Sequence, residues 1–205
     1  MISYPEKLTK AYPHPANLGY CDFTGCSVMS PPEWRVVEPD YACGVGFMDG
    51  QIIFSLPWGR GSETGIKEYL KIMYTIFEDH LAPDSRVVVI DDFSRYHGIT
   101  QRARKAYIKG LKMRPEVAGI VCYNLSPYFR FNLGIGRRLH MVPYPIEFAA
   151  DYKAAIMCAS RILDAPIGRV DPRKPSPTEP SEPLSPPQFP LIGEHSALGM
   201  HVDYR

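Results

Sequence analysis

Residues 86–92 read RVVVIDD: four β-branched aliphatic side chains in unbroken succession, closed by two adjacent carboxylates. A strand with one wet face alternates apolar and polar residues, because successive side chains point to opposite faces. A run without alternation suits a central strand of a parallel sheet, covered by helices on both faces. The rest of the chain then has to supply those helices and the neighbouring strands.

It does so in regular order. Between Thr64 and His80 the apolar residues Ile66, Tyr69, Leu70, Met73, Ile76 and Phe77 fall at helical spacing, and Ser62 stands where an N-cap belongs. Thr100 to Met113 predicts a second helix with Ala103, Ala106, Tyr107, Gly110 and Leu111 inward, ended by Pro115. VAGIVCYN (117–124) is a second buried strand. Ser126-Pro127 opens a helix running to about Leu139, in which Gly134 and Gly136 read as close helix packing. MVPYPIEFA (141–149) gives a shorter strand whose prolines place it towards an edge. Asp151 caps a last helix with Tyr152, Ala155, Ile156, Ala159 and Leu163 on one side. Upstream, Val45 and Phe47 and then Ile52, Ile53 and Phe54 flank Asp49-Gly50, a hairpin signal. The expected fold is α/β, with the order β-β-α-β-α-β-α-β-α, a mainly parallel sheet and an antiparallel hairpin at one end. The domain spans residues 34–165.

The flanks differ in character. Residues 1–33, rich in Pro, Gly, Ser and Tyr without a clear period, read as an N-terminal arm or loop. Residues 166–190 hold nine of the 21 prolines and read as a semi-rigid linker, and 191–205 as a tail, with the start of a following domain as one expectation for it. The net charge of +1 offers no global attraction for nucleic acid or an anionic membrane. No apolar run approaches the ~20 residues that span a bilayer. The first residues, MISYPEKLTKAYPHP, lack the apolar core of a signal peptide, so a cytoplasmic location is expected. The cysteines, Cys21, Cys26, Cys43, Cys122 and Cys158, are odd in number and contain no CxxC pair. Cys122 and Cys158 read as small buried hydrophobes. Cys21 and Cys26 near His14 lack the spacing of a zinc site, so reduced thiols and no metal are expected.

Asp91 and Asp92 carry the main chemical question. A phosphorylatable receiver needs its acid pair after the first strand and a second acid later. Here the pair follows a hairpin and a helix, and the next strand end offers Asn124, whose amide cannot accept a phosphoryl group. Two readings stay open. The carboxylates cap backbone donors at the strand ends, or they belong to a ligand or signalling surface there, since that edge is the usual crevice of open α/β sheets. Asp91, Asp92, Ser94, Tyr96, Thr100, Tyr123 and Asn124 are the candidate ligand-binding or regulatory residues. Arg102, Arg104, Lys105, Lys109 and Lys112 form a basic helix face. It is either a solvated face or a docking surface for an acidic partner or neighbouring domain. His80, His97 and His140 read as surface residues near element ends. No nucleophile–base pairing, catalytic residue or cofactor motif follows from local sequence.

The element order resembles the STAS domains of bacterial anti-sigma-factor antagonists. On that pattern Thr100 matches the position whose phosphorylation switches partner binding, although HGITQ stands where the family has an Asp-Ser signature. SPPEW (30–34), VGFMDGQIIFSLPWG (45–59), IDDFSRYHG (90–98), GIVCYNLSP (119–127), GRRLHMVPYPIEFAADYKAAI (136–156) and ASRIL (159–163) also resemble a domain near the N-terminus of bacterial multidomain sensors. That domain often precedes PAS and histidine-kinase modules. The resemblance implies a non-catalytic regulatory or sensory input module coupled to a downstream output domain beyond residue 205. The alternative is a protein-interaction or dimerisation domain without a ligand, which predicts an exposed apolar patch on the hairpin around Phe47 and Trp58.

Overall fold

A computed structural model describes residues 19–112, 114–138 and 142–164, all within one compact unit, Met1–Lys174. The linker and tail expected over 166–205 lie outside the described residues, as do His14 and His140. The predicted order is present, with three short strands added to it. In chain order the elements are β1 (Val28–Met29), β2 (Arg35–Val37), β3 (Tyr41–Met48), β4 (Ile52–Gly61), α1 (Glu63–Asp79), β5 (Val87–Asp92), β6 (Arg95–Ile99), α2 (Gln101–Lys112), β7 (Val117–Tyr123), α3 (Pro127–Arg138), β8 (Ile146–Phe148) and α4 (Tyr152–Leu163).

One sheet runs in the order β1-β3-β4-β5-β7-β8, with β2 also on β3 and β6 also on β4. β3 and β4 are the antiparallel hairpin, and β4-β5, β5-β7 and β7-β8 are parallel. The hairpin turns through Asp49 (φ 54°) and Gly50 (φ 68°), both left-handed, as a type I′ turn requires. The outer edge of the hairpin is not bare. β1 and β2 pair with successive stretches of β3, so residues 19–33, expected as an arm, contribute a strand and bury Cys21 and Val28. β6 arises from a difference in length. β4 has ten residues and β5 six, so β5 pairs only with Ile52–Ser55. The backbone groups of β4 beyond that point need partners, and Trp58–Gly61 find them in β6. This polar segment carries no strand periodicity of its own.

Side-chain alternation sorts the core into two layers. Val87 and Val89 belong to the layer packed against α1 and α2. Val88 and Ile90 belong to the layer packed against α4 and the segment around Cys21 and Val28. Ser62 caps α1 by accepting from the Gly65 amide at 2.9 Å and also bonds the Glu38 carboxylate. Asp151 caps α4 by accepting from the Ala154 amide at 2.8 Å.

Two packing expectations need correction. A Cβ at Gly134 would meet nothing within 4 Å, so that glycine does not serve close helix packing. Gly110 does. A Cβ there would lie 2.5 Å from Leu70 Cδ1, and the Gly110 carbonyl accepts from the Tyr74 hydroxyl at 3.0 Å, which brings α2 close to α1. The hairpin also carries no exposed apolar patch around Phe47, which is buried, while Trp58 is half-buried. α3 buries none of its residues and carries the most exposed apolar side chains among the described residues, Tyr128 at 72% and Phe131 at 68%, with Ile135 at 41% beside them; Tyr20, Met29, Val37 and Met157 are exposed elsewhere.

Candidate functional site

The end of β5 places its two carboxylates on opposite faces of the sheet. Asp92 keeps the parity of Ile90 and enters a local hydrogen-bond network. It accepts from the Ser94 amide at 2.9 Å, the Tyr123 hydroxyl at 3.1 Å and the Asn124 side-chain amide at 3.0 Å. Only 2% of its surface is exposed, and these donors offset the cost of burying it. Asn124 closes β7 in the left-handed region (φ 54°), which Asn tolerates better than most residues. Four of the seven candidate residues, Asp92, Ser94, Tyr123 and Asn124, are therefore gathered in one capping network. Asp92→Ala removes the shared acceptor and is expected to cost about 2–3 kcal/mol. Urea unfolding at neutral pH checks this, and a loss below about 0.5 kcal/mol would leave the network without a stabilising role.

Asp91 keeps the parity of Val89 and faces a cavity of about 410 Å³ on the α1–α2 side. Its buried lining includes Tyr41, Ser55, Ile66, Tyr69, Asp91, Ile120 and Cys122. α3 covers one side with Phe129, Leu133 and Gly136, while Arg60, Tyr96, His97 and Arg104 line the more exposed part. Phe129 stacks on Tyr96 at 5.6 Å and meets Phe93 at 5.7 Å, so α3 is held to the cavity mouth by aromatic contacts.

The electrostatics of this face centre on Asp91. Burial pushes its pKa up from 3.8 to about 6, while hydrogen bonding from Ser55 and Tyr107 pulls it down and the charge of Asp92 adds a smaller upward push. The Tyr107 hydroxyl donates to Asp91 Oδ2 at 3.5 Å, a long contact. Ser55 lies opposite Asp91 in the β4–β5 register. Burial first, and the Asp91 charge second, push the hydroxyls of Tyr69, Tyr96, Tyr107 and Tyr144 well above the usual tyrosine range. These groups are neutral hydrogen-bond donors at any ordinary pH. The Tyr69 hydroxyl is buried, lines the cavity and has Ser55 nearby, yet it makes no hydrogen bond among the described residues. Burial likewise raises the thiols of Cys43 and Cys122, which keeps both protonated and poor as nucleophiles.

Of the seven candidates, Asp91 and Tyr96 line the cavity. Thr100 does not: its hydroxyl accepts from the Ala103 amide at 3.2 Å and caps α2. Arg102, Arg104, Lys105, Lys109 and Lys112 are all exposed, and Arg104 alone of the five lines the cavity. Sequence reasoning missed Ser55, Tyr41, Tyr69, Tyr107 and Phe129. Ser55 had a visible signal, a hydroxyl inside the apolar run IIFSL. Tyr69 and Tyr107 had none, because at helical spacing a site tyrosine and a core residue look alike, and Tyr41 merges into the apolar run of its strand. Cys158 is half-buried and not fully buried. Among the described residues, no group of three or more His, Cys, Asp or Glu is placed to hold a metal ion. Among them, too, no helix is long and apolar enough to cross a membrane.

No protein-family model and no curated protein matches the chain. Among solved structures, an uncharacterized protein of the DUF3478 family with a SpoIIAA-like fold, from Shewanella loihica PV-4, is similar. The similarity has a TM-score of 0.47 at 13% identity and covers 58% of this chain and 94% of that one. The fold class stands on the sheet order and the alternation of strands and helices described above.

Proposed function

We propose that the domain is a non-catalytic sensory or regulatory module that binds a small organic molecule beside Asp91 and couples its presence to an output domain of a bacterial, cytoplasmic signalling protein, of the kind that carries PAS and histidine-kinase modules. The observation that carries this reading is the cavity itself. It has the size of a small-molecule site, an apolar and aromatic lining, and a few buried polar groups in Asp91, Ser55 and Tyr69. α3 supports the coupling. It lines the cavity through Phe129 and Leu133 yet buries none of its residues, so a ligand would add contacts that this helix lacks. Such a helix shifts its population of positions when one of them gains a binding partner.

A thermal-shift screen of the protein against nucleotides and common metabolites tests the proposal. A binding compound is expected to raise the midpoint by several degrees, and Phe129→Ala to weaken that compound about tenfold or more. No shift with any compound would count against the cavity as a ligand site. A second reading, an interaction or dimerisation module, draws on the exposed Tyr128, Phe131 and Ile135 on α3. It predicts a dimer by light scattering that Phe131→Glu dissociates, without any small molecule.

A further inference from the structure

The cavity is chemically asymmetric. At its buried end Asp91 as a residue is 6% exposed, and among the described residues no cation lies within ion-pairing distance of its carboxylate. Its neighbours are neutral hydroxyls, which solvate a carboxylate without neutralising it. Beside it the Tyr69 hydroxyl is buried with the Ser55 hydroxyl nearby and no hydrogen bond of good geometry, so its hydrogen-bonding capacity is not filled. At the exposed end Arg60 and Arg104 line the same cavity, and neither forms an ion pair with a described residue. Arg104 is near enough to Tyr96 to act on its hydroxyl, which places the positive charge beside the aromatic mouth. Much of the remaining lining is aromatic or aliphatic, with Tyr41, Phe129, Ile66 and Ile120.

We infer that the cavity takes a dipolar molecule, with an amine or other N–H group inward at Asp91, an aromatic or similarly apolar body, and an acidic group outward at Arg60 and Arg104. The inference rests on the reading of the cavity as a ligand site and adds the class of ligand to it. An inward ammonium gives Asp91 the counter-charge that the protein does not supply, and the Tyr69 oxygen accepts a second hydrogen. The outward acid meets guanidinium groups suited to paired hydrogen bonds with a carboxylate. A neutral apolar molecule leaves both ends unanswered, and a simple cation places no group near the arginines.

Four para-substituted benzenes that share one ring separate these terms: 4-(aminomethyl)benzoate, 4-methylbenzoate, 4-methylbenzylamine and 1,4-dimethylbenzene. Calorimetric titration of each into the full chain at pH 7.5 is expected to show the first binding about tenfold or more tighter than the other three, the gain expected of a charge-assisted hydrogen bond. Asp91→Asn is expected to remove its advantage over 4-methylbenzoate. The double variant Arg60→Ala/Arg104→Ala, confined to exposed side chains, is expected to remove its advantage over 4-methylbenzylamine. If either single-charge probe equals the dipolar one, the inferred class is wrong at the corresponding end. If 1,4-dimethylbenzene binds as well as the dipolar probe, the class falls while the cavity stands as a ligand site. If no probe binds, both the class and the cavity reading fall.

Discussion

Replacing Asp91 with asparagine is expected to stabilise the fold at neutral pH and to do nothing below about pH 4. The buried carboxyl titrates at about 6 in the folded protein, against 3.8 as its ordinary value. The folded state therefore binds more protons than the unfolded chain between these values. Stability from this group is complete below the lower value and is lost as pH rises through the upper one. At pH 7 to 8 the loss amounts to roughly 3 kcal/mol, a little over two pKa units at about 1.4 kcal/mol each. The asparagine side chain would keep the shape, and its oxygen would accept from Ser55 and Tyr107 without carrying the charge. Urea unfolding at half-unit steps from pH 4 to 8 checks the prediction. The wild-type curve should fall across pH 4–6 relative to Asp91→Asn, with a plateau difference of about 2–3 kcal/mol. A constant difference at all pH values, or a variant less stable than wild type at pH 7, would mean that the folded protein already compensates the charge. A destabilising acid in a cavity is the pattern expected where function and stability ask for different residues, so this result would favour the proposed binding site.

Gly59→Val is expected to cost more than about 3 kcal/mol and to impair the cavity at the same time. Gly59 has a φ of +74°, a region costly for a β-branched residue. A Cβ there would lie 2.2 Å from the Asp40 carbonyl oxygen, a backbone atom that also accepts from the Arg60 amide at 2.8 Å. Neither contact relaxes by a side-chain rotation. Gly59 pairs with Tyr41 on one side and Tyr96 on the other, both of which line the cavity. Any backbone shift that accommodates the new side chain moves these walls. Gly134→Ala is the comparison, since it lies in a helix with open space around its Cβ and is expected to gain about 0.5–1 kcal/mol. Denaturant midpoints of the two variants should move in opposite directions. A Gly59→Val protein of unchanged midpoint would show that β4 yields at this point without cost.

The unbroken VVVI run, the helical stripe from Ile66 to Phe77 and the Asp49-Gly50 turn made the α/β order legible, because each is a local pattern with one structural solution. β1 and β6 were not legible. Both are short, and each exists because a longer strand beside it had unpaired backbone groups, which is information held by the neighbour. The candidate site was legible in part. The acid pair marked the right strand end, but treating its two members as one site merged a capping network with a cavity. Strand parity, counted from Val87, separates them without any structure. The cavity tyrosines Tyr41, Tyr69, Tyr96 and Tyr107 come from four elements, β3, α1, β6 and α2, and no local pattern announces such a convergence.

The division of the β5 carboxylates between two faces has a consequence for how such a domain can diversify. Asp92 maintains the strand end, whereas Asp91 sets the chemistry of the space beneath α2 and α3. Neighbours in the chain, they answer to separate demands. A lineage, or a protein engineer, is free to exchange Asp91 for a neutral, basic or apolar residue and change the chemistry of that space, while the adjacent codon continues to secure the scaffold.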